Sequence, residues 1–146
     1  MIGNETSRMN VMLDHGAFMP EFAHETDAGA DLRSPIDTIV PGRGSAVIDT
    51  GVHVEIPEGH TIFLKSKSGL NVKHSLIGEG VVDSGFTGSI KVKLYNLGNM
   101  DYEILRGDKI IQMVILPCAY TEFTLVDYFK ESERGNGGFG STGTNR

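Results

Sequence analysis

Val52-His53-Val54-Glu55-Ile56-Pro57-Glu58-Gly59 alternates apolar and polar side chains and then stops at a Pro-Glu-Gly turn. A period of two places Val52, Val54 and Ile56 on one face and His53 and Glu55 on the other, which predicts a strand with one buried side. The same signature returns at Ile90, Val92 and Leu94, which alternate with Lys91 and Lys93. Ile110 to Leu116 is apolar except for Gln112, and so predicts a strand covered on both faces. Turn residues punctuate these runs at Pro41-Gly42, Gly78-Glu79-Gly80, Leu97-Gly98-Asn99 and Arg106-Gly107-Asp108. Short strands between regular turns predict an all-β sandwich or barrel. A single short helix is expected, around Ser68 to His74, and no internal repeat or heptad is present.

At 146 residues the chain has the length of one domain, and 39% hydrophobic residues suffice for a core. The expected division is a β domain over residues 1–130 and a flexible C-terminal arm over 131–146. A net charge of −6 argues against nucleic acid as a partner, because such binding needs clustered Lys and Arg to displace counterions. A small anionic substrate is still compatible, since local cations decide there. Cys118 is the one cysteine, so no intrachain disulfide can form; it reads as a small core residue, and a reducing, cytoplasmic location is expected. No apolar run approaches the length of a membrane span, and Met1 to Arg8 lacks the apolar stretch of a secretory signal. Met9 could equally be an alternative start, with residues 1–8 an extension.

Several segments carry residues suited to chemistry. In Gly80-Val81-Val82-Asp83-Ser84-Gly85-Phe86-Thr87-Gly88 two β-formers lead to an acid at a strand end, where a carboxylate can hold a water and act as general base. The plainer reading is an Asx-turn for Asp83 and an ordinary core role for Phe86. In Lys65-Ser66-Lys67-Ser68-Gly69-Leu70, Ser68 and the first N–H groups of the short helix could bind a phosphate beside Lys67; alternatively Ser68 is an N-cap on a solvated turn. Ala28-Gly29-Ala30-Asp31-Leu32-Arg33-Ser34 sets an acid among small residues. Gln112, within Gly107-Asp108-Lys109-Ile110-Ile111-Gln112, serves either a ligand or a neighbouring strand.

The tail, Arg134-Gly135-Asn136-Gly137-Gly138-Phe139-Gly140-Ser141-Thr142-Gly143, is too glycine-rich for regular structure, yet it holds a forked cation, an aromatic ring and two hydroxyls. Arg134 can grip phosphate and Phe139 can lie on a base, as in a lid over a nucleoside phosphate. A plain flexible terminus is the alternative. The five histidines and one cysteine show no metal-ligand spacing, and neither a nucleophile elbow nor a dinucleotide fingerprint occurs.

These five segments, in this order, resemble the five motifs of the homotrimeric dUTP diphosphatases (dUTPases), from Ala28 to Gly143. The resemblance implies a jelly-roll-like β-clip barrel, assembled as a homotrimer with active sites between subunits. It implies hydrolysis of dUTP to dUMP and pyrophosphate with Mg2+, which keeps uracil out of DNA and supplies dUMP for thymidylate synthesis. Asp83 would activate the attacking water. Lys67, Ser68 and Gly69 would bind the phosphate side, and Gln112 would support the phosphate and nucleoside side. Arg134, Phe139, Gly140, Ser141 and Thr142 would close over the substrate from another subunit. Uracil would enter a hairpin around Ile77, Gly78 and Gly80, and Phe86 would pack on the deoxyribose. Mg2+ would be held by phosphate oxygens and waters, with Asp31 reaching it through water at most. Lys67 stands where the family usually has arginine, and Phe86 where it usually has tyrosine; Ala30 and Gly85 also depart from the common pattern. A regulatory protein partner is compatible with the resemblance but is not readable from the residues. The related dCTP deaminases share the Asp-x-Gly-Phe pattern but place a glutamate on the following strand, where Ile90 to Leu94 offers lysine. A non-enzymatic nucleotide binder is the other rival, and Asp83 together with a full tail argues against it.

Overall fold

The computed structural model describes residues 7–144. The possible N-terminal extension and the last two residues of the arm therefore lie largely or wholly outside it. Among the described residues the elements run β1 (Asn10–Leu13), β2 (Gly29–Arg33), β3 (Thr38–Val40), β4 (Ser45–Asp49), β5 (Val52–Glu55) and β6 (His60–Lys65). They continue with α1 (Ser68–His74), β7 (Leu76–Val82), β8 (Lys91–Asn96), β9 (Tyr102–Ile104) and β10 (Lys109–Pro117). The strands form a six-stranded sheet in the order β2-β10-β6-β7-β8-β4 and two-stranded sheets β1-β5 and β3-β9. Every pairing is antiparallel, giving an all-β, jelly-roll-like fold.

The alternating runs fold as their period demands. Val52, Val54 and Ile56 are buried while Glu55 is exposed, and Ile90, Val92 and Leu94 are buried while Lys91 and Lys93 reach solvent. Leu32, Ile48, Ile62, Leu76, Ile110 and Ile111 join them in one core. Each such side chain contributes about 1.5–3 kcal/mol by leaving water.

Three expectations need correction. β10 lies between β2 and β6, but its face bearing Gln112, Val114 and Leu116 is only half covered within the chain. A bulge between Lys109 and Ile111 shifts the register, which is why Ile110 and Ile111 are both buried although adjacent. Ser68 is the first helical residue, and the extended residue before the helix is Lys67, with no side-chain cap. Cys118 is half-buried just beyond β10, its N–H donating to the Gly59 carbonyl at 2.8 Å, and is not part of the core.

Among the described residues no helix is long and apolar enough to cross a membrane. From Cys118 to residue 144 the chain carries no strand or helix. Phe123, Leu125, Tyr128 and Phe129 in that stretch are exposed. The irregular stretch thus begins well before residue 131.

Candidate active site

The two partners of β10 bring one set of polar residues together. Asp31 on β2 lies opposite Gln112 on β10, and Gln112 lies opposite Lys65 at the end of β6. The chain then leaves the sheet through Ser66 and Lys67 into α1. The Asp31 carboxylate is buried, only 3% exposed, and two cations meet it: Lys67 Nζ at 2.5 Å from one oxygen and Lys109 Nζ at 3.2 Å from the other. Burial alone pushes the Asp31 carboxyl up, but hydrogen bonds and charge from Lys67 and Lys109 outweigh it and hold the group below its ordinary value. Two ammonium groups on one carboxylate leave a net positive charge and N–H donors for an anion.

Gln112 Nε2 donates to the Ser66 carbonyl at 3.0 Å. Its side chain also lies against Gly29, where a Cβ would come within 2.2 Å of the amide oxygen, so a larger residue there would displace the amide. Ser66 in turn reaches β7: its hydroxyl donates to the Gly78 carbonyl and accepts from the Gly78 N–H, both at 3.0 Å. Ser68 and Gly69 follow at the helix start.

A second set forms on the β7–β8 hairpin. The two strands pair only from Leu76–Asn96 to Gly78–Leu94. Beyond Gly78 they splay: β7 continues against β6, while β8 turns to β4. A cavity of about 630 Å3 lies between the arms, lined by Gly80, Asp83, Phe86, Gly88, Lys91 and Lys93 among others. The expected hairpin at Ile77 to Gly80 is therefore one strand of the opening, not a turn; the turn lies between Val82 and Lys91. Asp83 stands exposed just past β7. Its carbonyl, accepting from the Phe86 N–H at 3.1 Å, closes the local turn, and among the described residues no backbone N–H donates to its carboxylate. Phe86 is 49% exposed, not core, and its ring lies over Gly88, where a Cβ would come within 2.7 Å of it.

The two sets are separate within one chain. Val82, next to Asp83, accepts from Thr61 Oγ1, whereas Gln112 is level with Lys65. Four strand residues correspond to about 13 Å. The tail joins neither: Arg134 Nε donates to the Gly137 carbonyl at 2.6 Å, the Ser141 N–H donates to Gly138, and Phe139 is fully exposed. Thr142 and Gly140 lie in the same exposed stretch. Among the described residues no group of three His, Cys, Asp or Glu side chains could hold a metal ion, and both oxygens of Asp31 are already engaged by ammonium groups.

Lys109 and Ser66 join the site without standing out in the sequence. Lys109 lies within Gly107–Gln112, where a charge at a strand start is the only signal. Ser66 has no local signal, because its partner Gly78 is set by the β6–β7 register.

A family model described as dUTPase matches residues 16–143. Among curated proteins, a deoxyuridine 5'-triphosphate nucleotidohydrolase of Clostridium acetobutylicum is 40% identical over 90% of this chain and 92% of its own length. One of Arabidopsis thaliana is 39% identical over 90% of this chain and 80% of its own. Among solved structures, a mutant Staphylococcus bacteriophage 80alpha dUTPase with dUpNHpp superposes with a TM-score of 0.86 at 33% identity, covering 95% of this chain and all of that one. A mutant dUTPase from phage phi11 of S. aureus, described with a structural Mg(II) ion, gives 0.78 at 31% identity over 84% of this chain and 99% of that one.

Proposed function

The chain belongs to the dUTPase family and is a dUTP diphosphatase, and we propose that it cleaves its substrate with Asp83 as general base in a site completed by other copies of the chain. The observation that carries this reading is the splayed β7–β8 hairpin, with a nucleoside-sized cavity between its arms and Asp83 at the mouth.

Beyond Gly78 each arm pairs on its outer side only, so backbone N–H and C=O groups facing the gap are available to the edge of uracil. Recognition through backbone makes the identity of Ile77 unimportant, and a narrow gap rejects a 5-methyl group by contact. Phe86, whose ring tip approaches Gly88, offers an apolar surface to the deoxyribose and leaves no room for a 2′-hydroxyl. Asp83 takes a proton from water as the oxygen attacks the α-phosphorus, and the bond to the pyrophosphate oxygen breaks on the opposite side. The products are dUMP, a precursor for thymidylate synthesis, and pyrophosphate.

Beyond Lys91 and Lys93, which line the Asp83 cavity, a triphosphate needs further donors. Lys67, Ser68, Gly69 and Gln112, about 13 Å away along β6, serve a neighbouring copy's nucleotide. The exposed arm, with Arg134, Phe139, Gly140, Ser141 and Thr142, closes over a site on another copy. This division makes the homotrimer the working unit. Magnesium would be held chiefly by the nucleotide's phosphate oxygens and by waters, and would offset charge on the phosphates. Asp31, bound to two lysines, would reach it through water at most.

Deamination of dCTP is disfavoured by the same cavity. Lys91 and Lys93 line it from the strand where an acid is needed, and Glu79 on the opposite arm is held by Lys65 at 2.7 Å. The test is Asp83→Asn. It should lower kcat for dUTP by about 10²–10⁴-fold while changing dUTP affinity only a few-fold. Unchanged turnover would remove Asp83 from the base role, and ammonia release from dCTP would favour the rival.

A further inference from the structure

His53 lies on the polar side of β5, outside all five motif segments, yet its ring joins three parts of the molecule. Nδ1 is 2.7 Å from the Thr87 carbonyl, and Nε2 is 3.0 Å from Asp14 Oδ1 in the β1–β2 connection. Both partners are acceptors, so both contacts are hydrogen bonds only when both ring nitrogens carry protons. Thr87 precedes Gly88, on which the Phe86 ring rests. On the other side of Gly88, the Ser89 hydroxyl donates to Asp49 at the end of β4. The loop that sets Phe86 is thus fastened at two points, one permanent and one dependent on an imidazole.

We infer that His53 is a positioning residue for the Phe86 loop, and that its doubly protonated ring fastens Thr87 for substrate binding. The inference rests on the proposed placement of deoxyribose against Phe86. Neutral imidazole has one N–H and two acceptors to serve. The anionic Asp14 competes for it with the neutral Thr87 carbonyl, and whichever loses faces a lone pair. Two charged groups favour the fastened form, Asp14 in the β1–β2 connection and Asp49 on β4; Glu55 on β5 itself accepts from Asn10 of β1. The Thr87 carbonyl does most to hold the His53 pKa above its ordinary value; desolvation, the next largest effect, opposes it, and the Asp14 hydrogen bond and the charges of Asp14 and Asp49 add to the rise.

The experiment compares the full-length protein with His53→Gln. The glutamine amide has one donor group and does not titrate. KM for dUTP in the wild type should rise about three- to tenfold as pH climbs through the His53 pKa, with kcat following the same profile in both proteins. The ratio of the two KM values cancels titration of the substrate's terminal phosphate. A ratio that does not change with pH overturns the inference. An NMR titration gives a readout independent of turnover: the Thr87, Gly88 and Ser89 amides should shift with the His53 ring in the wild type and stay still in His53→Gln. Asp14→Asn should lower the ring's midpoint. Loop amides indifferent to the His53 titration sink the positioning role even where dUTP is hydrolysed. If the amides track the ring but neither protein turns over dUTP, the fault lies with the enzymatic reading instead.

Discussion

Asp31 shows how a single carboxylate can be visible in the sequence while its task is not. An acid flanked by Ala30 and Leu32 marks an unusual spot in a buried strand. Its partners, Lys67 and Lys109, sit far along the chain and meet it only because β2 pairs β10 and β6 ends beside them. Removing the charge leaves two ammonium groups without a counterion. Asp31→Asn should therefore cost about 1–3 kcal/mol in urea denaturation at neutral pH, less than for a fully buried pair because both lysine side chains remain partly exposed. The sign of the pH dependence follows from the lowered pKa. The folded protein holds the ionised form more tightly than the unfolded chain, so the contribution is present above the ordinary carboxylate value of 3.8 and is lost as pH falls through the lowered one. The urea midpoint of the wild type should then drop more steeply below about pH 4 than that of Asp31→Asn. Parallel acid limbs would show that the lysines do not select the ionised form.

At the scale of elements, the strand pattern was legible because burial writes itself as a period of two; the alternating positions of β5 and β8 fold as read. The divergence of β7 from β8 was not legible, since nothing in the order of side chains says where a pairing stops. It stops where β7 is handed from β8 to β6, and Ser66 stands at that handover. β6 ends at Lys65, opposite Glu79, and the Ser66 hydroxyl supplies the two hydrogen bonds to Gly78 that a further strand residue's backbone would have made. Gly78 has no room to shift sideways: a Cβ on it would meet Ile111 Cδ1 at 2.5 Å and Leu94 Cδ2 at 3.0 Å. Ser66→Ala should lower stability by about 1–2 kcal/mol and raise KM for dUTP several-fold with little loss of kcat. The reasoning is that the loosened strand binds the base and does not carry the proton transfer. A loss confined to kcat would place Ser66 with the phosphates rather than with the uracil edge.

At the scale of the whole molecule, the five motif segments could be listed in order from the sequence, but their distribution in space could not. Order along the chain implies nothing about which segments share a site. Folding places the first, second and fourth together at the β2–β10–β6 end, the third on the β7–β8 hairpin, and leaves the fifth as a run of exposed turns with Phe139 touching neither. On the proposed reading a site needing all five draws them from several copies, and that makes a prediction no single-chain site would meet. Deletion of residues 134–146 should abolish most turnover while leaving the denaturation midpoint within experimental error, because residues 134–144 are exposed and pack against no core residue. Asp83→Asn alone should be equally inactive. When the two defective chains are co-expressed, some sites receive Asp83 from a truncated copy and the arm from an Asp83→Asn copy, and these are intact. If the arm and Asp83 come from different copies and the chains assort freely, about one site in four should be whole, so activity should return to roughly a quarter of the wild-type value. If each arm closed over its own chain's Asp83, every site would be defective and no activity would return. The mixture therefore reads out the exchange of the arm directly, with the two parent proteins as its blanks.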